Sequence, residues 1–305
     1  MANIWVYSED VSLAKELVTA AKQLGGEVGA IAITEEVANG VAATGINKVV
    51  YLKGEATWAE AYGKEIAAVL IEEGAQVVLV GATPKGRAVA AEVSALMGTG
   101  LVSDAGNLAI VGDTLEVERF IYGGLAVSHE AVAFPAFATV PARSNDPAAD
   151  GAATAVTVKE VAVANTVTVV SVESANKGGV DLNKADKVVG FGRGVEGEEG
   201  LATMNALADV LGAEVGCTRP IAEEAKLLPV ERYIGISGKQ LKGSLYIGVG
   251  TSGQVQHVAG IRDVKTVVAI NSDENAPIMA AADYAIVGDY KTIVPALADA
   301  IKAAK

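Results

Sequence analysis

Short apolar runs alternate with stretches of helical periodicity along most of this chain, and that alternation leaves few folds open. Asn3–Tyr7 reads as a strand. Asp10 can cap a following helix, on which Leu13, Leu17, Val18, Ala21 and Leu24 share a face, and Gly25-Gly26 stops it. Val28–Ile33, Lys48–Leu52 and Gln76–Val80 are further strand-like runs, and Trp58–Glu73 and Ala88–Met97 read as helices. Strands separated by helices of this length imply a parallel sheet with helices on its faces.

The pattern turns β-rich after Gly98. Leu108–Val111, Thr114–Arg119, Ile121–Tyr122, Ala126–His129 and Phe137–Val140 are short strands, with Gly112-Asp113 as a hairpin turn. They read as antiparallel strands appended to the α/β core. Asp146–Ala153 is a Pro/Ala/Asp/Gly loop, Thr166–Val172 has an edge-strand composition, and polar Ser174–Lys184 with Gly178-Gly179 is the candidate interdomain linker. The alternation then resumes: strand Val188–Phe191, helix Gly200–Leu211, strands Glu214–Cys217, Leu245–Val249, Thr266–Ile270 and Tyr284–Val287, and a helix from about Lys291. The expected fold class is α/β in two domains. Residues 1–180 form a parallel-sheet domain with added antiparallel strands, and 186–305 a smaller, doubly wound domain.

Composition removes several function classes. The net charge of −13 argues against nucleic acid or an anionic membrane as the main partner. One cysteine, Cys217, excludes an internal disulfide, and the two histidines lie far apart, so no metal site is expected. Mean hydropathy is +0.35, but glycines, charges and turns interrupt every apolar run before membrane-spanning length. No leader pattern precedes the first strand, which sets the expectation of a cytoplasmic protein without membrane insertion, or of a mature form.

The sharpest local motif is Gly248-Val249-Gly250-Thr251-Ser252-Gly253, after a strand and able to open a helix at Gln254. This is dinucleotide-site spacing: glycines admit a pyrophosphate to backbone N–H groups, and a helix N-terminus favours its charge. A tight turn explains the same residues. Asn271 and Asp273 follow about twenty residues on, where a ribose-binding group is expected. A second cluster, Gly190-Phe191-Gly192-Arg193-Gly194, puts Arg193 where it can clamp phosphate, or serve only as a surface arginine. His257 is either a ligand-facing donor or a ring satisfied by a backbone carbonyl. Arg219 projects from a strand end or pairs with Glu223-Glu224, and Cys217 reads as a small core residue. No Ser-His-Asp set, paired carboxylates or Walker A sequence is present. A bound redox cofactor that only passes electrons needs none of these, so no catalytic residue is expected.

The second half closely resembles the α subunit of electron transfer flavoproteins. The resemblance is carried by Gly192-Arg193-Gly194, Cys217-Thr218-Arg219-Pro220, Tyr233–Lys239, Gly250–Gly260, Val268–Asn271 and Ala276–Asp289, in matching order across residues 187–297. Gly98–Asp104 and Tyr122–Ala126 extend it to the first half, and the chain looks most like the bacterial branch with the Fix-type subunits. The resemblance implies a heterodimer with a β subunit, FAD in the second domain, and a first domain that docks the β subunit. It implies electron exchange with acyl-CoA dehydrogenase-type or quinone-reductase-type partners. In electron-bifurcating relatives NADH, through the β subunit, and ferredoxin or flavodoxin also take part.

Residue by residue, the resemblance places Arg193 at the FAD pyrophosphate and Thr218 and Arg219 near the flavin. It places Ser237, in Gly235-Ile236-Ser237, near flavin N5. Gly250, Ser252, Gly253, Gln254, Val255, Gln256 and His257 form the turn over the cofactor, with His257 near the O2 edge. Asn271 and Asp289 reach the adenosine end, with the Tyr290 backbone beside them. Donors near N1 and O2 would favour an anionic reduced flavin. Many family members carry Gln-Thr where this chain has Ile236-Ser237, so a hydroxyl is kept and an amide lost. Two rivals remain: an NAD-dependent dehydrogenase subunit, which needs a substrate acid or base, and a non-redox nucleotide-binding subunit.

Overall fold

The computed structural model describes residues 1–163, 167, 169–171 and 180–305. The chain forms two compact units, Met1–Val172 and Glu173–Lys305. The first holds β1 (Asn3–Tyr7), α1 (Val11–Gln23), β2 (Glu27–Ala32), α2 (Glu35–Ala42), β3 (Lys48–Lys53), α3 (Gly63–Glu72), β4 (Val77–Gly81) and α4 (Pro84–Leu96). β5 (Leu101–Val102), β6 (Gly106–Val111), β7 (Thr114–Ile121), β8 (Ala126–Ala133), β9 (Ala136–Val140) and β10 (Val156–Glu160) follow. Seven strands make a parallel sheet in the order β10-β3-β2-β1-β4-β9-β5, and β6-β7-β8 make a separate antiparallel sheet.

The twofold alternation of side chains along β1 builds a core on each face of the large sheet. Ile4 and Val6 join Leu17 of α1 and Val37 and Val41 of α2, whereas Trp5 and Tyr7 join Ile66 of α3 and Val89 and Val93 of α4. Leu115 and Val117, on the inner face of the antiparallel sheet, enter the first of these cores.

Several sequence-based expectations need correction. Phe137–Val140 is not part of the antiparallel set: it lies in β9, inside the parallel sheet between β4 and β5. Every β9 residue is buried, the signature of a strand covered on both faces. The helix expected over Trp58–Glu73 is a 3-10 turn, Ala59–Tyr62, followed by α3, and α2 was not anticipated. Of the expected edge strand Thr166–Val172 and linker Ser174–Lys184, residues 166, 168, 172 and 174–179 lie outside the described residues. The sheet edge is instead β10. The linker's end, Leu182–Lys184, is a 3-10 turn whose Leu182 is fully buried in the second unit's core, so that unit's folded part reaches back before residue 186.

The second unit comprises β11 (Lys187–Phe191), α5 (Gly197–Leu211), β12 (Glu214–Cys217), α6 (Arg219–Glu223), β13 (Leu245–Val249), α7 (Val255–Val258), β14 (Val267–Asn271), α8 (Pro277–Ala281), β15 (Tyr284–Val287) and α9 (Tyr290–Ala304). Its sheet is parallel, in the order β12-β11-β13-β14-β15. The order reverses between β11 and β13. In open α/β sheets ligands bind outside the carboxyl ends of the strands at such a switch point.

The first unit has a switch point too, between β1 and β4, and a hydrogen bond spans it. Glu9, two residues past β1, accepts a hydrogen bond from the Thr83 hydroxyl at 2.5 Å. Asp10 and Thr83 cap the N-termini of α1 and α4, accepting from Leu13 N and Gly86 N. Acid and caps occupy the positions an anion would need.

Candidate functional site

At the open switch point, glycine segments approach more closely than side chains allow. Gly192 N donates to Val249 O at 3.0 Å, and Gly194 N donates to Gly250 O at 3.0 Å. A Cβ on Gly192 would lie 2.6 Å from Gly250 O, and one on Gly194 2.9 Å from Gly250 Cα. This contact brings Arg193 and the Gly250–Gln254 loop to one rim. The loop is pinned from behind, where Asn271 Nδ2 donates to Thr251 O at 2.7 Å and Ile278 N donates to Ser252 O at 3.2 Å. The amides of Ser252, Gly253 and Gln254 have no acceptor among the described residues, and α7 starts directly after them.

The result is a cleft of about 680 Å³. Arg193, Thr218, Arg219, Gly235, Ile236, Ser237, Gly250, Ser252, Gly253, Gln254, Gln256, His257 and Asn271 line it. Of the sequence candidates, Val255 does not: it is the first residue of α7 and is exposed. Asp289 and Tyr290 line an adjoining cavity of about 330 Å³ that shares Gly194 and Gly250 with the cleft. Asp289 also caps α9, accepting from Lys291 N at 2.9 Å.

Tyr233, Glu223, Glu224, Asp273 and Pro277 also line the cleft. Of these only Asp273 was signalled as a ligand candidate; the Tyr233 hydroxyl donates to Ser237 O at 2.6 Å and so holds the Gly235–Ser237 turn. The Arg219 Nε donates to Glu223 Oε2 at 2.7 Å, one turn away on α6, so the expected pairing with the acidic residues is present while the arginine still lines the cleft. Cys217 is fully buried, and burial pushes its thiol up to about 12, which leaves it an inert core residue.

His257 has partners on both ring nitrogens: the Tyr246 hydroxyl at 2.8 Å from Nε2 and the Ile234 carbonyl at 3.2 Å from Nδ1. Burial lowers its pKa from 6.5 to about 4. Two of the glycines read as ligand-binding have another task here. Gly216, Gly190 and Gly248 pair in a row across β12, β11 and β13. A Cβ on Gly190 would lie 2.4 Å from the Tyr246 ring, one on Gly248 2.9 Å from it, and one on Gly216 2.7 Å from Ile234. The glycine row is the trough in which those side chains lie.

The buried imidazole sets a pH dependence. The unfolded chain takes up this proton near 6.5 and the folded one near 4, so acid favours unfolding between those values. Stability from this group is complete above pH 6.5, and about 3 kcal/mol is expected to be lost as pH falls to 4. Urea denaturation of the protein and of His257→Asn at several pH values checks this. Equal slopes of midpoint against pH in the two proteins would count against it.

Among the described residues no cluster of His, Cys, Asp and Glu is arranged to hold a metal ion, and no helix is long and apolar enough to cross a membrane.

Comparison with known proteins matches residues 181–262 to the family described as electron transfer flavoprotein FAD-binding domain, and residues 9–166 to the electron transfer flavoprotein domain. The chain is 38% identical to YdiR of Escherichia coli (strain K12), over 97% of this chain and 96% of that protein. It is 35% identical to protein FixB of Salmonella typhimurium (strain LT2) and to protein FixB of Escherichia coli O157:H7, in each case over 98% of both chains.

Proposed function

This chain belongs to the electron transfer flavoprotein α-subunit family that includes FixB, its cofactor is FAD, and from that premise we propose that the second unit's cleft holds the FAD of an αβ heterodimer. The observation that carries this reading is the open switch point, where Arg193 and three unpartnered amides share one rim. An arginine, free N–H groups and glycine backbone that a ligand can approach are the donor set a pyrophosphate requires. The volume is of the size that encloses a cofactor-sized ligand.

Arg193 and the Ser252–Gln254 amides then bind the pyrophosphate. Asn271, Asp289 and the Tyr290 backbone serve the adenosine end. Thr218, Arg219, Ser237 and His257 surround the flavin. Glu223 tempers the Arg219 guanidinium by pairing with it, so the positive charge that arginine offers the ring is partly screened. Ile236, about half exposed, brings an apolar side chain to the same wall. FAD supplies one- and two-electron redox chemistry when bound. The first unit docks the β subunit, and acyl-CoA dehydrogenase-type flavoproteins are the exchange partners.

The dehydrogenase rival gains no support from the cleft's histidine or from Cys217: burial makes His257 a weak base and keeps Cys217 a thiol. The absorption spectrum of the chain co-expressed with its β subunit tests the proposal, with heat release and identification of the cofactor. One FAD per heterodimer is expected for a carrier and two for an NADH-dependent bifurcating form. A folded heterodimer without flavin overturns the reading.

A further inference from the structure

Backbone bonds tie down the flanks of the Gly235–Ser237 turn. Gly235 N donates to Lys239 O at 3.1 Å, Ile236 N to Gln256 O at 2.8 Å, and Gly238 N to Gly235 O at 3.0 Å. Ser237, which lines the cleft, is held differently: among the described residues its only hydrogen-bond partner is the Tyr233 hydroxyl. A carbonyl oxygen only accepts, so the phenol gives its one hydrogen to Ser237 O at 2.6 Å. The same phenol oxygen is 3.3 Å from Ser237 Oγ and bounds where that hydroxyl can stand. The phenol is itself fixed. Tyr233 forms a parallel bridge with Cys217, the last residue of β12, and Ile234 N donates to Cys217 O at 2.9 Å. Its ring packs on the second unit's core, and Gly238 leaves it room, since a Cβ there would lie 2.4 Å from ring carbons. The end of the sheet thus reaches the tip of the turn through one side chain.

We propose that Tyr233 is a positioning residue of the cofactor site: it carries the tip of the turn from the end of β12, and through the Ser237 carbonyl it sets where the Ser237 hydroxyl meets the flavin. The proposal rests on the FAD reading above, which puts Ser237 beside the flavin, and adds a residue that acts through Ser237. Without the phenol the turn keeps its flanks and loses the placement of its tip. A phenylalanine ring would fill the same space over Gly238 and leave the Ser237 carbonyl to solvent.

The test uses the heterodimer reconstituted with FAD labelled with 15N at N5, the flavin nitrogen that the Ser237 hydroxyl is expected to meet. Tyr233→Phe should move the N5 signal toward that of a nitrogen without a hydrogen bond, with FAD still stoichiometric. Ser237→Ala should move it the same way, and adding Tyr233→Phe to Ser237→Ala should move it no further, because the first residue acts through the second. Amide hydrogen exchange at Gly238, whose bond to Gly235 O closes the turn, should be about fivefold faster in Tyr233→Phe, the worth of one neutral hydrogen bond. A wild-type N5 signal in flavin-loaded Tyr233→Phe overturns the proposal, and so do shifts of the two single variants that simply add. Ser237→Ala with a wild-type N5 signal also overturns it, and that result does not depend on Tyr233→Phe folding. A heterodimer without flavin strikes the FAD reading instead, and unchanged exchange at Gly238 in the same protein would remove the hold of Tyr233 on the turn.

Discussion

Gly253→Ala is expected to give a folded protein with almost no FAD. Gly253 has φ +76°, and a Cβ there would sit 2.2 Å from Ile278 N and 2.5 Å from Ile278 Cα. Those are backbone atoms at the start of α8, so no side-chain rotation relieves the clash. The Gly250–Gln254 loop must move, and the amides of Ser252, Gly253 and Gln254 move with it. Strain of this kind costs on the order of 1–3 kcal/mol, and a displaced anion cradle loses more in binding. FAD affinity should fall at least about a hundredfold. Gly74→Ala is the matched control: φ is +65°, but nothing lies within 4 Å of the added Cβ. It should lose about 1 kcal/mol of stability and keep its full FAD. Flavin content after gel filtration, with circular dichroism as the folding check, separates the two. Wild-type FAD affinity in a folded Gly253→Ala protein would remove the loop from the cofactor site.

Arg193→Gln should weaken FAD binding by about 10- to 100-fold, the worth of roughly 1.5–3 kcal/mol for a hydrogen bond to a charged group. Arg193 is exposed on the rim and forms no ion pair among the described residues, so its charge is available, whereas Arg219 is paired with Glu223. Arg193→Lys should recover part of the loss, since an ammonium keeps the charge without the bidentate fork. Titration of deflavinated heterodimer with FAD, at two salt concentrations, reads both effects. Unchanged affinity in Arg193→Gln would move the pyrophosphate elsewhere.

The architecture was legible because buried strands and amphipathic helices differ in period, and capping residues such as Asp10 mark where one becomes the other. The errors have physical causes. α2 has only eight residues and buries just four, so its periodicity is faint beside its neighbours. β9 follows the antiparallel strands in sequence, but its run Ala136–Val140, apolar save for Thr139, carried the parallel-strand signal.

The turn glycines Gly192, Gly194, Gly250 and Gly253 do line the cleft, because close backbone approach is a local demand that sequence records. Gly190 and Gly248 misled, because the atoms they make room for belong to Tyr246 and not to a ligand. Val255 lies outside the cleft lining, and a four-residue helix offers too little periodicity to say which face is turned away. The partners of His257 were out of reach: Tyr246 is eleven positions away and Ile234 twenty-three, and only the folded sheet brings them together.

The bridged crevice of the first unit bears on where this chain can take up an anion. Both sheets end their first strand in an aromatic residue, Tyr7 and Phe191, and two positions later stand Glu9 and Arg193. One sign of charge latches the crevice to Thr83, and the other leaves it open to an anion. The acid at Glu9 works as an address label: it disfavours a phosphate at the first crevice, while Arg193 favours one at the second.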